Sequence, residues 1–298
     1  MENSSYQPHK ILLFSLFMLG ETVIVLPFEN SSDKTIIAII AASLIGIPLL
    51  YLIHFLLSKA NRINHFRKTV TVIICSTFTI YSLYLAINAF KVFMGFVSAY
   101  VLVGVSKLLA ALVFFSVVIV LSLAKSSILY KFGIVKGILS IVMIIALFCF
   151  SWGQFSIDNV SLLSIPRLDD VFSESLGYFK SLIFPSLILL LFEEGNNKNT
   201  SLRATVSGYL LGLVLHLVCL LNSLLIFGTE LSAKFSYAYS EAIATVTAGN
   251  IFTRMDGFSY FVFYITCLIK ITVCLNLSLR LIKKSYYIIK NEVPLQKM

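Results

Sequence analysis

Residues 11–27 read ILLFSLFMLGETVIVLP, and this stretch decides the class of the protein. Its apolar run approaches the roughly 20 residues that a helix needs to cross a bilayer. Gly20, Glu21 and Thr22 interrupt it near its middle. Glycine loosens a helix at such a position. A carboxylate at the bilayer centre costs about 2.5–3.5 kcal/mol on insertion scales, so it marks a site. A helix broken at mid-membrane turns its backbone ends toward a cavity, and such ends bind ions and small polar solutes.

The rest of the chain repeats the apolar theme. Of 298 residues, 58% are hydrophobic and 12% are charged, with a mean hydropathy of +0.94. That composition excludes a soluble globular domain and describes an all-α polytopic membrane protein. The expectation is a single transmembrane domain over 1–298, with spans at 11–27, 35–57, 69–94, 100–122, 128–150, 173–192, 202–227 and 257–281 and an outer loop at 228–254. This makes about eight spans. The first span is read as retained, because no small-residue cleavage site follows it.

The formal net charge of +9 predicts orientation and not a nucleic-acid partner, because the basic residues sit at span ends. Lys10, then Lys59, Arg62, Arg67 and Lys68, then Lys125 and Lys131, then Lys198 and Arg203, then Lys283, Lys284 and Lys290 fall on one side. Glu29 and Asp33, then Asp158, Asp169, Asp170 and Glu174, then Glu230 and Glu241 fall on the other. The positive-inside rule therefore puts both termini in the cytoplasm of a multi-pass cell-membrane protein. Trp152 lies at an outer interface, where indole is favoured.

Polar residues within the spans are the candidates for function. On the third span Thr77, Tyr81, Tyr84, Asn88 and Lys91 share one helical face. Such a stripe faces protein or water, either as interhelical hydrogen bonding or as the wall of a ligand site. The sixth span carries Pro185 at its middle, flanked by Ser181 and Ser186. Proline removes a backbone hydrogen bond and kinks or breaks the helix. Spans one and six are thus both interrupted, a pattern that in inverted-repeat transporters points to the binding site. The seventh span offers Gly208 and Gly212 as a packing face, with His216 and Asn222 as its polar groups. His216 reads as a hydrogen-bonded packing residue or as a proton relay. The eighth sets Asp256, Ser259, Phe263, Thr266, Lys270 and Cys274 along one face.

Lys136 lies roughly 12 Å and Lys270 roughly 15 Å from the inner face, at 1.5 Å per residue. That brings both to the level of the Gly20-Glu21 break. A buried lysine alone loses its proton and a buried carboxylate alone gains one. Together they stay charged or exchange a proton. Glu21, Lys136 and Lys270 are therefore the candidates for ion or proton coupling, with a lysine ammonium bound to the carbonyls freed at the break. The alternative is a static ion pair that fixes helix register.

No other chemistry is expected. Cys75, Cys149, Cys219, Cys267 and Cys274 all lie in apolar runs and read as inert packing thiols. There is no zinc-protease motif, metal-spaced His or Cys pair, phosphate-binding loop or nucleophile elbow. No enzyme activity, catalytic residue, metal or cofactor is expected.

Residues 235–275, FSYAYSEAIATVTAGNIFTRMDGFSYFVFYITCLIKITVCL, add a family likeness. With Tyr239, Gly249, Arg254, Asp256 and Lys270 here, and Gly20 and Pro27 in the first span, the chain resembles the endospore germination permeases, the B-subunits of spore germinant receptors. The resemblance implies the amino acid–polyamine–organocation fold, built of two inverted five-helix repeats. It implies a ligand between the breaks of spans one and six, walled by spans three and eight. Gly20, Thr22, Tyr84, Ser181, Phe184 and Thr266 would then lie near a small amino acid or similar nutrient. Glu21, Tyr81, Asn88, Pro185 and Ser186 complete the candidate ligand set.

The resemblance also implies two protein partners, a membrane A-type subunit with soluble domains and a lipoprotein C-type subunit, in the spore inner membrane. Two departures stand out. The family has ten spans where eight are read here, and Glu21 replaces a small residue. A carboxylate there would repel a substrate carboxylate unless a lysine neutralises it. Three functions follow: a nutrient-binding receptor subunit, a proton-coupled amino-acid permease, or a structural subunit without a ligand.

Overall fold

The computed structural model describes residues 7–24, 34–60, 67–101, 104, 106–159, 168–179, 181, 184–192, 198–247 and 255–290. The stretch from 25 to Pro27, the acidic Glu29 and Asp33, and the Gly249 and Arg254 of the family likeness lie outside these residues.

The described chain is all helical. α1 (Gln7–Leu19) runs into a tight 3-10 turn, Gly20–Val23. α2 (Lys34–Ala60), α3 (Arg67–Phe96), α4 (Lys107–Ser122) and α5 (Ser126–Ser151) follow. Two short helices, α6 (Leu168–Tyr178) and α7 (Phe184–Phe192), come next. α8 (Lys198–Lys234), α9 (Ala238–Thr245) and α10 (Asp256–Lys290) complete the order.

Among the described residues five helices are long and apolar enough to cross a membrane, where eight spans were expected. They are Ile36–Phe55, Thr71–Val101, Ser126–Gln154, Leu202–Lys234 and Asp256–Lys290. The three shortfalls have local causes. The first span winds regularly only to Leu19, where Gly20 takes a φ of 42°. The sixth is divided between α6 and α7. The fourth begins late, because the chain passes through a π turn at Val97–Val101 and a left-handed Gly104 before α4 starts. The 16 residues of α4 reach only about 24 Å, short of a hydrocarbon core of about 30 Å.

The outside of the bundle is apolar. Ile40, Leu44 and Leu52 on α2, Ile80 and Ile87 on α3, Leu112 and Val120 on α4, and Val135 and Val142 on α5 are exposed. Lipid, not water, is the solvent such a surface suits. The protein is a multi-pass membrane protein.

α10 is the central pillar. Its apolar window is 72% buried, against 28–33% for α2, α3 and α5. It packs along α3, which offers it Cys75, Thr79, Ser82, Ala86, Ala89 and Phe93, small residues in the middle and an aromatic at the end. The small residues let the two backbones approach, and the Ser82 hydroxyl donates to the Cys274 carbonyl at 2.6 Å. At the far end Phe93 stacks near Phe263, so the two helices run antiparallel. The inner end of α10 holds the α4–α5 turn. Asn276 Nδ2 donates to the Ser122 and Ala124 carbonyls at 2.6 and 3.1 Å, and Arg280 Nη2 to Ser126 Oγ at 2.5 Å. The two Asn276 bonds serve carbonyls that the end of α4 leaves without helical partners.

α8 lies along α1 with its glycines at the contact. A methyl on Gly208 would stand 2.5 Å from Phe14 Cβ, and one on Gly212 would stand 2.6 Å from Met18 Cβ. Each step of one turn on α8 matches one turn on α1, so these helices run in the same direction. α8 kinks at Gly228, whose φ is 73°. Asn159 Nδ2 donates to the carbonyls of Leu225 and Ile226 there, at 3.0 and 3.1 Å. Beyond the kink the chain folds back, with the Ser232 hydroxyl reaching the Ser223 carbonyl at 3.1 Å. α9 then packs on α8 and α10.

Candidate functional site

The first break is built around glycine. The positive φ of Gly20 suits a residue without Cβ, and it ends α1 in mid-chain. The carbonyls released at a helix end need donors. The Thr22 hydroxyl donates to the Leu19 carbonyl at 2.6 Å. The Thr266 hydroxyl of α10 reaches the Gly20 carbonyl at 2.9 Å and the Phe263 carbonyl of its own helix at 3.0 Å. Its single proton serves one of them at a time.

Lys270 crosses the break one turn further along α10. It is 1% exposed, and its Nζ lies 2.7 Å from Oε2 of Glu21, which is 18% exposed. The two meet as a charge contact and not as an aligned hydrogen bond. The Phe17 ring centroid stands 6.0 Å from the same ammonium. The lysine therefore goes to the carboxylate, and the carbonyl freed at Gly20 goes to Thr266. This differs from the expectation that the ammonium would bind the freed carbonyls. A full opposite charge outcompetes a peptide dipole when both are in reach.

Lys136 does not join them. Its Nζ sits between the rings of Phe132 and Phe261, 5.9 and 5.8 Å from their centroids, half-buried on α5. Depth along a helix says nothing about which way its face points.

Between α6 and α7 the described residues Phe179 and Ser181 lie in a π-helical turn. Pro185 is the second residue of α7 and is buried, a position where its missing N–H has no helical acceptor to leave idle. α7 touches α1, α2, α3, α8 and α10, so this segment lies in the middle of the bundle. Ser186 is buried. Ser181 is half-buried, its hydroxyl 3.4 Å from the Tyr178 carbonyl. Phe184 is 40% exposed and set edge-on to Phe179, so it faces outward from this centre.

The stripe on α3 divides. Tyr81 is half-buried and within electrostatic reach of Glu21, and Asn88 is half-buried. Thr77 and Lys91 are exposed, as is Tyr84 at 58%. The helix turns its small residues to α10, and the bulkier polar stripe is left on the flank.

His216 is a residue that sequence reasoning weighed and left out. It lies one turn beyond Gly212 and is 1% exposed. The Thr22 main chain is its hydrogen-bonding neighbour, and the Tyr178 ring stands edge-on with its centroid 6.3 Å away. Thr22 belongs to the first break and Tyr178 is the last residue of α6, so the imidazole lies between that break and the end of α6. The Gly208, Gly212, His216 spacing carried the signal, since it continues the face that meets α1.

Comparison with known families bears on this arrangement. The family model described as spore germination protein, a spore permease, matches residues 8–295. The chain belongs to the spore germination protein family. Membership covers the break at Gly20, the Lys270–Glu21 pair and the packing face of α8. No curated protein matches the chain. The family and the all-helical fold are those of a non-enzymatic permease-like protein, and no metal-holding cluster of His, Cys, Asp or Glu occurs among the described residues.

Proposed function

We propose that this chain is the membrane subunit of a spore germinant receptor, binding a small nutrient such as an amino acid and triggering germination. The observation that carries the reading is the helix break at Gly20 in the bundle centre, its carboxylate matched by the buried Lys270 ammonium, with α7 packed beside α1. Family membership supports it. The matched charges remove the objection to Glu21, because a neutralised carboxylate does not repel an incoming one.

In this reading the chain has the amino acid–polyamine–organocation fold, with inverted repeats and both termini in the cytoplasm. Gly20, Glu21, Thr22, Tyr81, Asn88, Ser181, Pro185, Ser186 and Thr266 surround the ligand. Tyr84 and Phe184 take part only through a rotation that brings them inward. Glu21 and Lys270 form the coupling pair, and Lys136 acts apart from them. The A-type and lipoprotein C-type subunits cover part of the exposed apolar belt and receive the signal.

A second reading, a proton-coupled amino-acid permease, is favoured by one observation. A buried lysine 2.7 Å from a carboxylate can pass its proton across when a ligand intervenes. A structural subunit without a ligand is the third reading.

Binding of amino acids, sugars and nucleosides to the purified receptor assembly separates the three. Saturable binding of one nutrient, lost together with nutrient-triggered germination in Thr266→Val, supports the receptor. Saturable amino-acid uptake by proteoliposomes holding this chain alone replaces it with the permease. No binding and no uptake leave the structural subunit.

A further inference from the structure

We infer that Lys136 is a docking charge: the face of α5 that carries it receives a membrane-spanning helix of a second polypeptide, whose mid-span Asp or Glu pairs with the ammonium. The inference goes beyond the receptor reading and rests on no ligand.

Lys136 is the tenth residue beyond Ser126, where α5 begins, and stands fifteen short of Ser151, where it ends. At 1.5 Å per residue neither end is nearer than about 15 Å. A four-carbon stem does not span that distance. The ammonium remains between the Phe132 ring of its own helix and the Phe261 ring of α10, 5.9 and 5.8 Å from their centroids. Both rings stand at the far limit of cation–π attraction. A ring offers no carboxylate, and no lone pair for the three N–H donors of an ammonium.

The elements packed on α5 hold no free carboxylate for it. α1 and the Trp152–Gln154 turn contain none. Glu21, in the turn after α1, is held by Lys270 at 2.7 Å. Asp256, the one acid of α10, accepts from the Tyr260 hydroxyl at 2.9 Å. Glu230, the one acid of α8, lies beyond the kink at Gly228. Lys136 thus forms no ion pair among the described residues. A charge this deep in a membrane is costly and is retained where a partner matches it.

Charge complementarity names that partner. A carboxylate enters hydrocarbon on an element whose backbone is satisfied internally, as a helix is. Lipid phosphates stay at the headgroups, out of reach of the stem. A second copy of this chain would bring Glu21 already paired. The surface beside Lys136 suits an incoming helix. Val135, Ile138 and Val142 form an exposed apolar ridge on α5. On α10 Phe258 is exposed one turn from Phe261, and Gly257 has open space where a side chain would stand. A partner backbone can therefore come close there.

The test treats spore membranes containing the full chain with dicyclohexylcarbodiimide, which activates carboxyls buried in lipid for attack by a neighbouring lysine amine. Peptide mass spectrometry locates the amide formed. The expected result is an amide between Lys136 and an Asp or Glu within a membrane-spanning helix of another polypeptide. Lys136→Met then lowers co-isolation of that polypeptide by about fivefold or more. Lys136→Arg keeps most of it, and Lys136→Glu recovers it when a lysine replaces the partner's carboxylate. The chain alone in detergent unfolds at an unchanged or higher temperature in Lys136→Met, because the lost charge had no partner there.

No amide at Lys136, or an amide to a carboxyl of this chain, overturns the inference. So does co-isolation unchanged by Lys136→Met. A lower unfolding temperature of the Lys136→Met chain alone also overturns it, by making the lysine a packing residue. Every measurement is made without nutrient, so failure of the receptor reading leaves the result intact, and loss of the docking charge leaves the receptor reading standing.

Discussion

The stem of Lys270 occupies the place where a side chain on Gly20 would stand. A methyl built there collides with Lys270 Cδ and lies 3.1 Å from Nζ. The glycine is thus demanded twice, by its φ of 42° and by the lysine laid across it. Gly20→Ala is expected to cost about 1–2 kcal/mol for the left-handed backbone and about 1–3 kcal/mol for overpacking. Thermal unfolding of the purified protein in detergent measures the sum, and an unchanged transition would mean that the break is not built as described.

The Lys270–Glu21 pair predicts a strong coupling. Removing either charge alone, as Lys270→Met or Glu21→Gln, leaves the other buried, at a cost of about 3–5 kcal/mol. The double variant leaves no charge unmatched and regains most of the loss. A double-mutant cycle on unfolding free energy should give a coupling well above the few tenths expected of independent sites. Additive losses would separate the two residues.

The α1–α8 contact makes two glycines sensitive and leaves a third indifferent. Gly212→Ala would press its methyl to 2.6 Å from Met18 Cβ and 3.1 Å from the Ser15 carbonyl oxygen, at about 1–3 kcal/mol. Gly208→Ala behaves alike. Gly257→Ala, in open space on α10, should be neutral or slightly stabilising. Equal effects at all three positions would contradict the close packing of these helices.

On α3 two hydroxyls are expected to differ. Ser82→Ala loses the bond to the Cys274 carbonyl, worth about 0.6 kcal/mol on average for such bonds between membrane helices. Thr77→Ala alters an exposed hydroxyl bonded within its own helix to the Ile73 carbonyl, and should leave stability within about 0.5 kcal/mol. A larger loss at Thr77 would put the polar stripe back at the α10 interface.

Alkali should loosen the folded-back segment. Burial raises the Tyr239 hydroxyl well above its ordinary value of 10.0, so the folded state holds that proton more tightly than the unfolded chain does. Its contribution is fully present below the unfolded value and is lost as pH rises through the higher folded one. Unfolding temperature should fall as pH rises above about 10, and Tyr239→Phe should fall less. Parallel curves for the two proteins would refute the assignment.

Much of the plan was legible from residue types alone. Gly20 announced the first interruption, because a residue without Cβ takes a left-handed turn readily, and Pro185 marks the first turn of α7, where a missing N–H costs nothing. That Glu21 has a lysine partner was an expectation shared between Lys136 and Lys270, because both were read at its depth; only the structure puts Lys270 against it. The number of long helices was not legible. Hydropathy counts apolar length and is blind to where the backbone stops winding, so three of the eight expected spans do not stand as single long helices among the described residues.

The chain's own order of residues determined that this protein lives in a membrane as helices, and where those helices falter, since both follow from local chemistry. Only the tertiary structure decided which side of each helix meets another. That choice depends on how closely backbones can approach, through Ser82, Ala86, Gly208 and Gly212. It sent Tyr84 outward, set Lys136 between two rings, and left His216 buried between the first break and the end of α6.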